Sequence, residues 1–286
     1  MKQALCSIAS NVQVMPGTHL MWIEAPDIAP AAQPGQFITV RCGDFTLRRP
    51  FSIHQVGNDH VIASEAKQSQ VAILFQVTGK GTLWLSQRKA GQRIDVLGAL
   101  GKGFGIAPKS EKLLLVAGGI GLAPLVFLMQ QASREHQMIL IHGARTAAQL
   151  CYDGEQPPAI GHQTVQFIPI TEDGSAGQKG KATDILPDYL DWADQVYACG
   201  PVDMYKAMAL TLNSSLLKRE DQGEGEKQNK LKLKKCQVSL EVRMGCGFGA
   251  CYCCTINTKK GLQRVCRDGP VFELDDIIWQ EVGIWP

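Results

Sequence analysis

Four cysteines constrain this 286-residue chain more than anything else in it. Cys246, Cys251, Cys254 and Cys266 fall in and just after Met-Gly-Cys-Gly-Phe-Gly-Ala-Cys-Tyr-Cys-Cys, with gaps of four, two and eleven residues. Whatever the chain folds into must carry three thiols on one glycine-rich loop and return a fourth from a later strand. The C-x4-C-x2-C…C spacing is that of a plant-type 2Fe–2S site. Gly245, Gly247 and Gly249 let backbone amides approach the sulfides. Cys253 reads as a non-ligand, because adjacent cysteines rarely aim both sulfurs at one metal.

Three other uses of the cysteines compete. Disulfides need an oxidising compartment, and the N-terminus lacks the apolar run of a signal peptide. Structural zinc usually shows two C-x2-C pairs. Ordinary buried cysteines do not explain the spacing. Ten cysteines without a secretion signal fit a reducing compartment, so the expected location is cytoplasmic. A net charge of +2 gives no case for nucleic acid as the main partner. The long uncharged stretch Leu113 to Ser133 is broken by Gly118-Gly119-Ile120-Gly121 and Pro124, which favours strand–turn–helix over a membrane span.

The length allows two or three domains. Residues 1–107 read as an antiparallel β-barrel, with strands at Gln36–Arg41, Phe51–Val56, Ala72–Val77 and Arg93–Leu97. Residues Ile62 to Gln70 fit this pattern poorly and read as an insertion at a hairpin tip, helical or looped. Residues 108–217 alternate strands with helices, the signature of a doubly wound parallel sheet of α/β type. Strands are expected at Leu113–Ala117, Met138–His142, Thr164–Ile168 and Gln195–Ala198. Residues 218–234 are charged and poor in large apolar groups, as in a mobile linker. Residues 235–286 form a small β-rich cluster module, and the stretch from Cys266 to Leu274 reads as turn then strand.

Two weaker motifs lie in the barrel. Arg49, Phe51 and Ser52 offer a forked cation, an aromatic surface and a hydroxyl, which suit a flavin's pyrophosphate, ring and N5. An edge strand would read alike. Gly79-Lys80-Gly81-Thr82 precedes a short helix, where amides can reach a phosphate, although a capped hairpin turn reads the same. In the α/β region, Gly118, Gly119, Gly121 and Pro124 follow a buried strand and open a helix, the context of a nucleotide-phosphate turn. Cys199, Gly200 and Pro201 end another strand at the same sheet edge, with Cys199 a candidate neighbour of the nicotinamide. Arg145 is the one candidate for the adenosine 2′ position, and the six histidines form no ligand pattern.

Taken together and in order, Arg-Pro-Phe-Ser, Gly-Lys-Gly-Thr, Gly-Gly-Ile-Gly-Leu-Ala-Pro and Cys-Gly-Pro resemble the ferredoxin–NADP reductase superfamily. With the cluster module, the chain is most similar to the electron-transfer subunits of class B dihydroorotate dehydrogenases. The stretch from Glu241 to Cys251 and Arg-Val-Cys-Arg-Asp-Gly-Pro-Val-Phe carry that likeness. The resemblance implies FAD held at Arg49, Pro50, Phe51 and Ser52, at Leu74, Phe75 and Gln76, and at Gly81 and Thr82. It implies NAD as the nucleotide. It also implies an FMN-containing catalytic partner that oxidises dihydroorotate in pyrimidine biosynthesis, in a heterotetramer with two of each chain. Phe248, Tyr252 and Arg267 are candidates for that contact. A self-contained NAD(P)H reductase and a zinc-holding binding module are the rival readings.

Overall fold

The computed structural model describes residues 1–57, 69–132, 135–151, 165–220 and 235–282, with the backbone alone for 213–220. Six strands close an antiparallel barrel in the order β1-β2-β5-β4-β3-β6. They are β1 (Lys2–Met15), β2 (Thr18–Glu24), β3 (Phe37–Arg41), β4 (Arg49–Gly57), β5 (Gln70–Gln76) and β6 (Arg93–Leu100). The four expected strands are present. β1 and β2 complete the ring; only Cys6 and Ile8 of the fourteen-residue β1 are buried, which leaves a weak alternation signal. Gln70, placed in the insertion by sequence, is the first residue of β5 and pairs with Glu24 and Gly57. Ser69, just before the strand, accepts the Ala25 amide at 2.8 Å on its carbonyl, and residues 62–68 of that expectation lie outside the described residues. The helix α1 (Lys80–Ser86) packs at the barrel wall.

The second layer begins with β7 (Lys112–Gly118), α2 (Leu122–Gln131) and β8 (Gln137–Ala144). β9 (Val165–Thr171), β10 (Gln178–Lys179), α3 (Ala182–Leu190), β11 (Gln195–Cys199) and α4 (Val202–Glu220) follow. Thr164, expected to open β9, lies outside the described residues. β7 is buried on both faces, which is why it reads as an unbroken apolar run. Leu113, Leu115 and Ala117 pack with α2, while Leu114 and Val116 pack with α3 and α4. α4 continues through Glu220, so Lys218 to Glu220 are helical and not linker. Residues 221–234 lie outside the described residues.

The C-terminal segment holds β12 (Cys236–Ser239), β13 (Thr255–Thr258), β14 (Gly261–Arg264), α5 (Val265–Asp268) and β15 (Val271–Glu273). β12 lies parallel to β11 and β15 antiparallel to β12, giving one seven-stranded sheet in the order β10-β9-β8-β7-β11-β12-β15. The segment therefore extends the nucleotide-type sheet, and only β13 and β14 form a hairpin of their own. Cys266 lies on the single helical turn α5, not on the strand expected to return it. Among the described residues no helix is long and apolar enough to cross a membrane.

Candidate cofactor and nucleotide sites

The cluster loop between β12 and β13 carries Cys246, Cys251 and Cys254, and with Cys266 on α5 they fall into two pairs. The Cys246 amide donates to Cys251 Sγ at 3.3 Å, and the Cys251 amide donates back to Cys246 Sγ at 3.4 Å. The Cys266 amide donates to Cys254 Sγ at 3.4 Å. Cys254 and Cys266 are buried, whereas Cys251 is exposed. Each iron of a 2Fe–2S cluster takes two thiolates, so an outer and an inner pair are what it needs.

Backbone donors surround the outer sulfurs. Burial opposes ionisation of Cys246, but the amides of Phe248, Cys251 and Ala250 outweigh it and bring the thiol down to about 6. Burial and then the contact with Cys254 push the Cys266 thiol up to about 12. The loop needs its glycines. Gly247 has φ +79, and a Cβ there would meet Thr39 Cγ2 at 2.9 Å; Gly249 has φ +92, and a Cβ would meet Arg267 Cδ at 2.9 Å. Cys253 Sγ lies 3.9 Å from the Arg243 carbonyl oxygen and takes part in neither pair of amide-to-sulfur contacts. Phe248 and Tyr252 are 46% and 64% exposed, and Tyr252 holds φ 59 with the Arg264 guanidinium 4.8 Å from its ring centre. Arg267 is also exposed.

On the barrel, β4 sets Arg49 and Pro50 opposite Val40 and Thr39 of β3, and Phe51 and Ser52 opposite Ile38 and Phe37. Phe51 is buried, and its ring lies 5.6 Å from Phe75. Phe75 is 2% exposed in the barrel core. Leu74 is buried against α2, and Gln76 is exposed at the strand end. Arg49 lies against Gly81, where a Cβ would stand 2.9 Å from its Nε. A forked cation beside a Cβ-free helical turn fits a phosphate. The Gly-Lys-Gly-Thr motif does not precede the helix; it forms the N-cap and first turn of α1. Thr82 Oγ1 accepts the Thr78 and Gly79 amides at 2.9 and 3.1 Å, so that hydroxyl caps the helix.

A cleft of about 750 Å³ opens at the C-terminal ends of the parallel strands. Gly118, Gly119, Gly121, Cys199, Gly200 and Pro201 all line it. Close approach explains the glycines: a Cβ on Gly121 would stand 2.1 Å from the Cys199 carbonyl oxygen, and one on Gly118 2.7 Å from Pro201 Cδ. Pro124 does not line the cleft. It occupies the first turn of α2, where a missing N–H costs nothing. Burial, followed by the Glu241 carboxylate, pushes the Cys199 thiol up to about 12, which favours the neutral thiol. Arg145 lines the cleft together with Glu172, whose amide donates to the Ala144 carbonyl at 3.0 Å. Sequence reasoning missed Glu172, which belongs to no motif, and gave Glu241 no role of its own, although it opens the stretch that carries the family likeness. Thr18 and Gln76 of the barrel and Glu241 of the cluster segment close the cleft from outside the sheet.

A flavin-type barrel, a nucleotide cleft on a parallel sheet and a four-cysteine loop define an oxidoreductase of ferredoxin–NADP reductase type with an added iron–sulfur site. Solved structures agree. The chain is similar to the NADH-dependent reduced ferredoxin-NADP oxidoreductase, with TM-score 0.75, 26% identity, and 97% and 91% of the two chains covered. It shares the fold of a ferredoxin NADP+ reductase from Neisseria gonorrhoeae, with TM-score 0.62, 17% identity, and 83% and 98% covered. Residues 241–278 match the profile of the iron-sulfur cluster binding domain of dihydroorotate dehydrogenase B, and residues 115–209 that of the oxidoreductase NAD-binding domain. The chain belongs to the family of dihydroorotate dehydrogenase B (NAD(+)) electron transfer subunits. It is 38% identical over 277 residues to that subunit of Desulforamulus reducens, covering 93% of this chain and 95% of the relative. To that of Geobacillus thermodenitrificans it is 34% identical over 281 residues, covering 95% and 97%.

Proposed function

We propose that this chain carries electrons between NAD and the FMN of a dihydroorotate-oxidising partner, through FAD and a 2Fe–2S cluster. In this reading two copies of each chain assemble in the cytoplasm, in the service of pyrimidine biosynthesis. The carrying observation is that barrel, sheet and cluster segment all line one cleft, through Gln76, Gly119 and Glu241 respectively. A flavin there exchanges two electrons with the nucleotide and single electrons with the cluster.

The chain's own residues do the holding. Arg49 and the first turn of α1, with Gly81 and Thr82, bind the flavin pyrophosphate. Pro50, Phe51 and Ser52, with Leu74, Phe75 and Gln76, border its ring. Gly118, Gly119 and Gly121 admit the nucleotide phosphates, and Cys199, Gly200 and Pro201 border the nicotinamide. Cys246, Cys251, Cys254 and Cys266 ligate the irons. Gly247 packs on Thr39, the cross-strand partner of Pro50, so the cluster loop and the flavin strand share one barrel wall. Exposed Phe248, Tyr252 and Arg267 face the partner.

The test mixes the cofactor-loaded chain with an FMN-type dihydroorotate dehydrogenase from the same source. Orotate formation coupled to NAD reduction is expected in the mixture and in neither chain alone. Orotate formation by this chain alone, or no complex at micromolar concentration, overturns the reading and favours a free-standing reductase. Cys254→Ser should lose iron and acid-labile sulfide and keep FAD, and Cys253→Ser should keep all three. The opposite pattern reassigns the ligands.

A further inference from the structure

Two buried histidines grip the glycine turn from different neighbours. His54 on β4 is 1% exposed, and its Nδ1 lies 3.0 Å from the Ala123 carbonyl oxygen. His142 on β8 is fully buried, and its Nε2 lies 3.1 Å from the Gly119 carbonyl oxygen. A carbonyl only accepts, so the proton sits on Nδ1 of His54 and on Nε2 of His142. Burial keeps both rings neutral, lowering each to about 4, with the backbone contact pulling weakly the other way. Gly119 holds φ +54, a backbone state that glycine adopts without strain but does not by itself fix, so the contact to its carbonyl can decide where the turn sits. Gln130 of α2 adds a second clasp on β4: its Oε1 accepts the Val56 amide at 3.0 Å, and its Nε2 donates to the Val56 carbonyl at 2.7 Å.

We propose that His54 and His142 are positioning residues that bracket the turn from Gly119 to Ala123. His54 fixes it to the strand carrying the flavin motif, and His142 fixes it to the sheet. The proposal rests on the cleft being the NAD site. The two bonds then do different work. Gly119 lines the cleft, so His142 acts on nucleotide affinity. Ala123 does not line it; His54 instead sets how the helix behind the turn meets the barrel. It therefore acts on the approach of nicotinamide to flavin more than on affinity.

Amide replacements separate position from polarity. His54→Asn places an N–H near the old Nδ1, and His142→Gln places one near the old Nε2. The exchanged pair, His54→Gln and His142→Asn, keeps an amide but misplaces the donor. Leucine at either site removes it. NAD+ binding to the FAD-loaded, cluster-loaded chain is read by calorimetry, which needs no turnover. Flavin bleaching at saturating NADH is read by anaerobic rapid mixing.

His142→Leu should weaken NAD+ binding about fivefold to tenfold, the worth of one buried hydrogen bond. His142→Gln should stay within about twofold of the parent chain. His54→Leu should leave affinity within about twofold and slow flavin reduction about tenfold, and His54→Asn should restore the rate. If a leucine variant does not fold, the exchanged amides carry the same comparison. Well-placed amides as impaired as misplaced ones overturn the proposal, as do variants matching the parent in both readings. A parent chain that binds no NAD+ instead overturns the assignment of the cleft.

Discussion

Arg48 and Arg49 are neighbours with different tasks. Arg48 pairs with Asp95 of β6 at 2.5 Å and ties the start of β4 to that strand, whereas Arg49 lies across Gly81 at the first turn of α1. Arg49→Ala should lower FAD affinity by about one to two decades, since a charge-assisted contact is worth about 1.5–3 kcal/mol. FAD content after extended dialysis measures it, and unchanged content removes Arg49 from the site. His54 and His142 give the fold a pH dependence of definite sign. Their pKa values fall from an ordinary 6.5 to about 4 in the folded chain, so the unfolded chain binds more protons between those values. Their contribution to stability is complete above pH 6.5 and is lost as pH falls towards 4, by up to about 1.4 kcal/mol per pH unit for each ring. Urea midpoints should follow that course, and the His54→Asn, His142→Gln double variant should flatten it. The cysteines were legible in the sequence because their spacing is local. The histidines were not, because their partners are carbonyls 69 and 23 positions away, and a backbone acceptor carries no sequence signature.

At the scale of elements, the junction of β11, α4 and β12 depends on one phenol. Tyr205 Oη accepts the Gly200 amide at 2.9 Å and donates to the Ser239 carbonyl at 2.6 Å. Tyr205→Phe strands both groups in a buried site. It should cost about 1–3 kcal/mol and loosen the Cys199–Pro201 turn. Thermal melts with NAD+ titrations are the check, and an unchanged melting temperature argues against the junction. Strands such as β7 announce themselves by an apolar run bounded by glycine. β12 does not, because it follows a charged stretch and its place beside β11 is set by pairing. The end of α4 was hidden for a related reason: Lys218 to Glu220 look like linker, yet the helix already formed carries them on. Helix propagation costs far less than nucleation, so charged residues extend a helix that packing has started.

Across the whole molecule, the cluster segment is an integral part of the core. Leu240, Phe272, Leu274 and Trp279 share one apolar cluster with Met204, Tyr205 and Met208 of α4, and the Trp279 ring lies 5.3 Å from Tyr205. A chain ending at residue 234 should therefore aggregate or melt well below the full chain, even though its motifs for flavin and nucleotide are intact. Equal melting temperatures in calorimetry would contradict this. The sheet order has a further consequence for how the protein is made. β1 pairs with β6, so the barrel can close once about a hundred residues have left the ribosome. β11 has no such early neighbour on its outer side, and that edge waits for β12 and then β15. Until the last part of the chain emerges, the nascent protein displays an unpaired, apolar strand edge, the form most prone to join another copy. Protease digestion of stalled ribosome-bound chains should find the barrel resistant and the sheet still open. Iron and sulfide delivered before Cys266 is synthesised would meet only three of the four thiols.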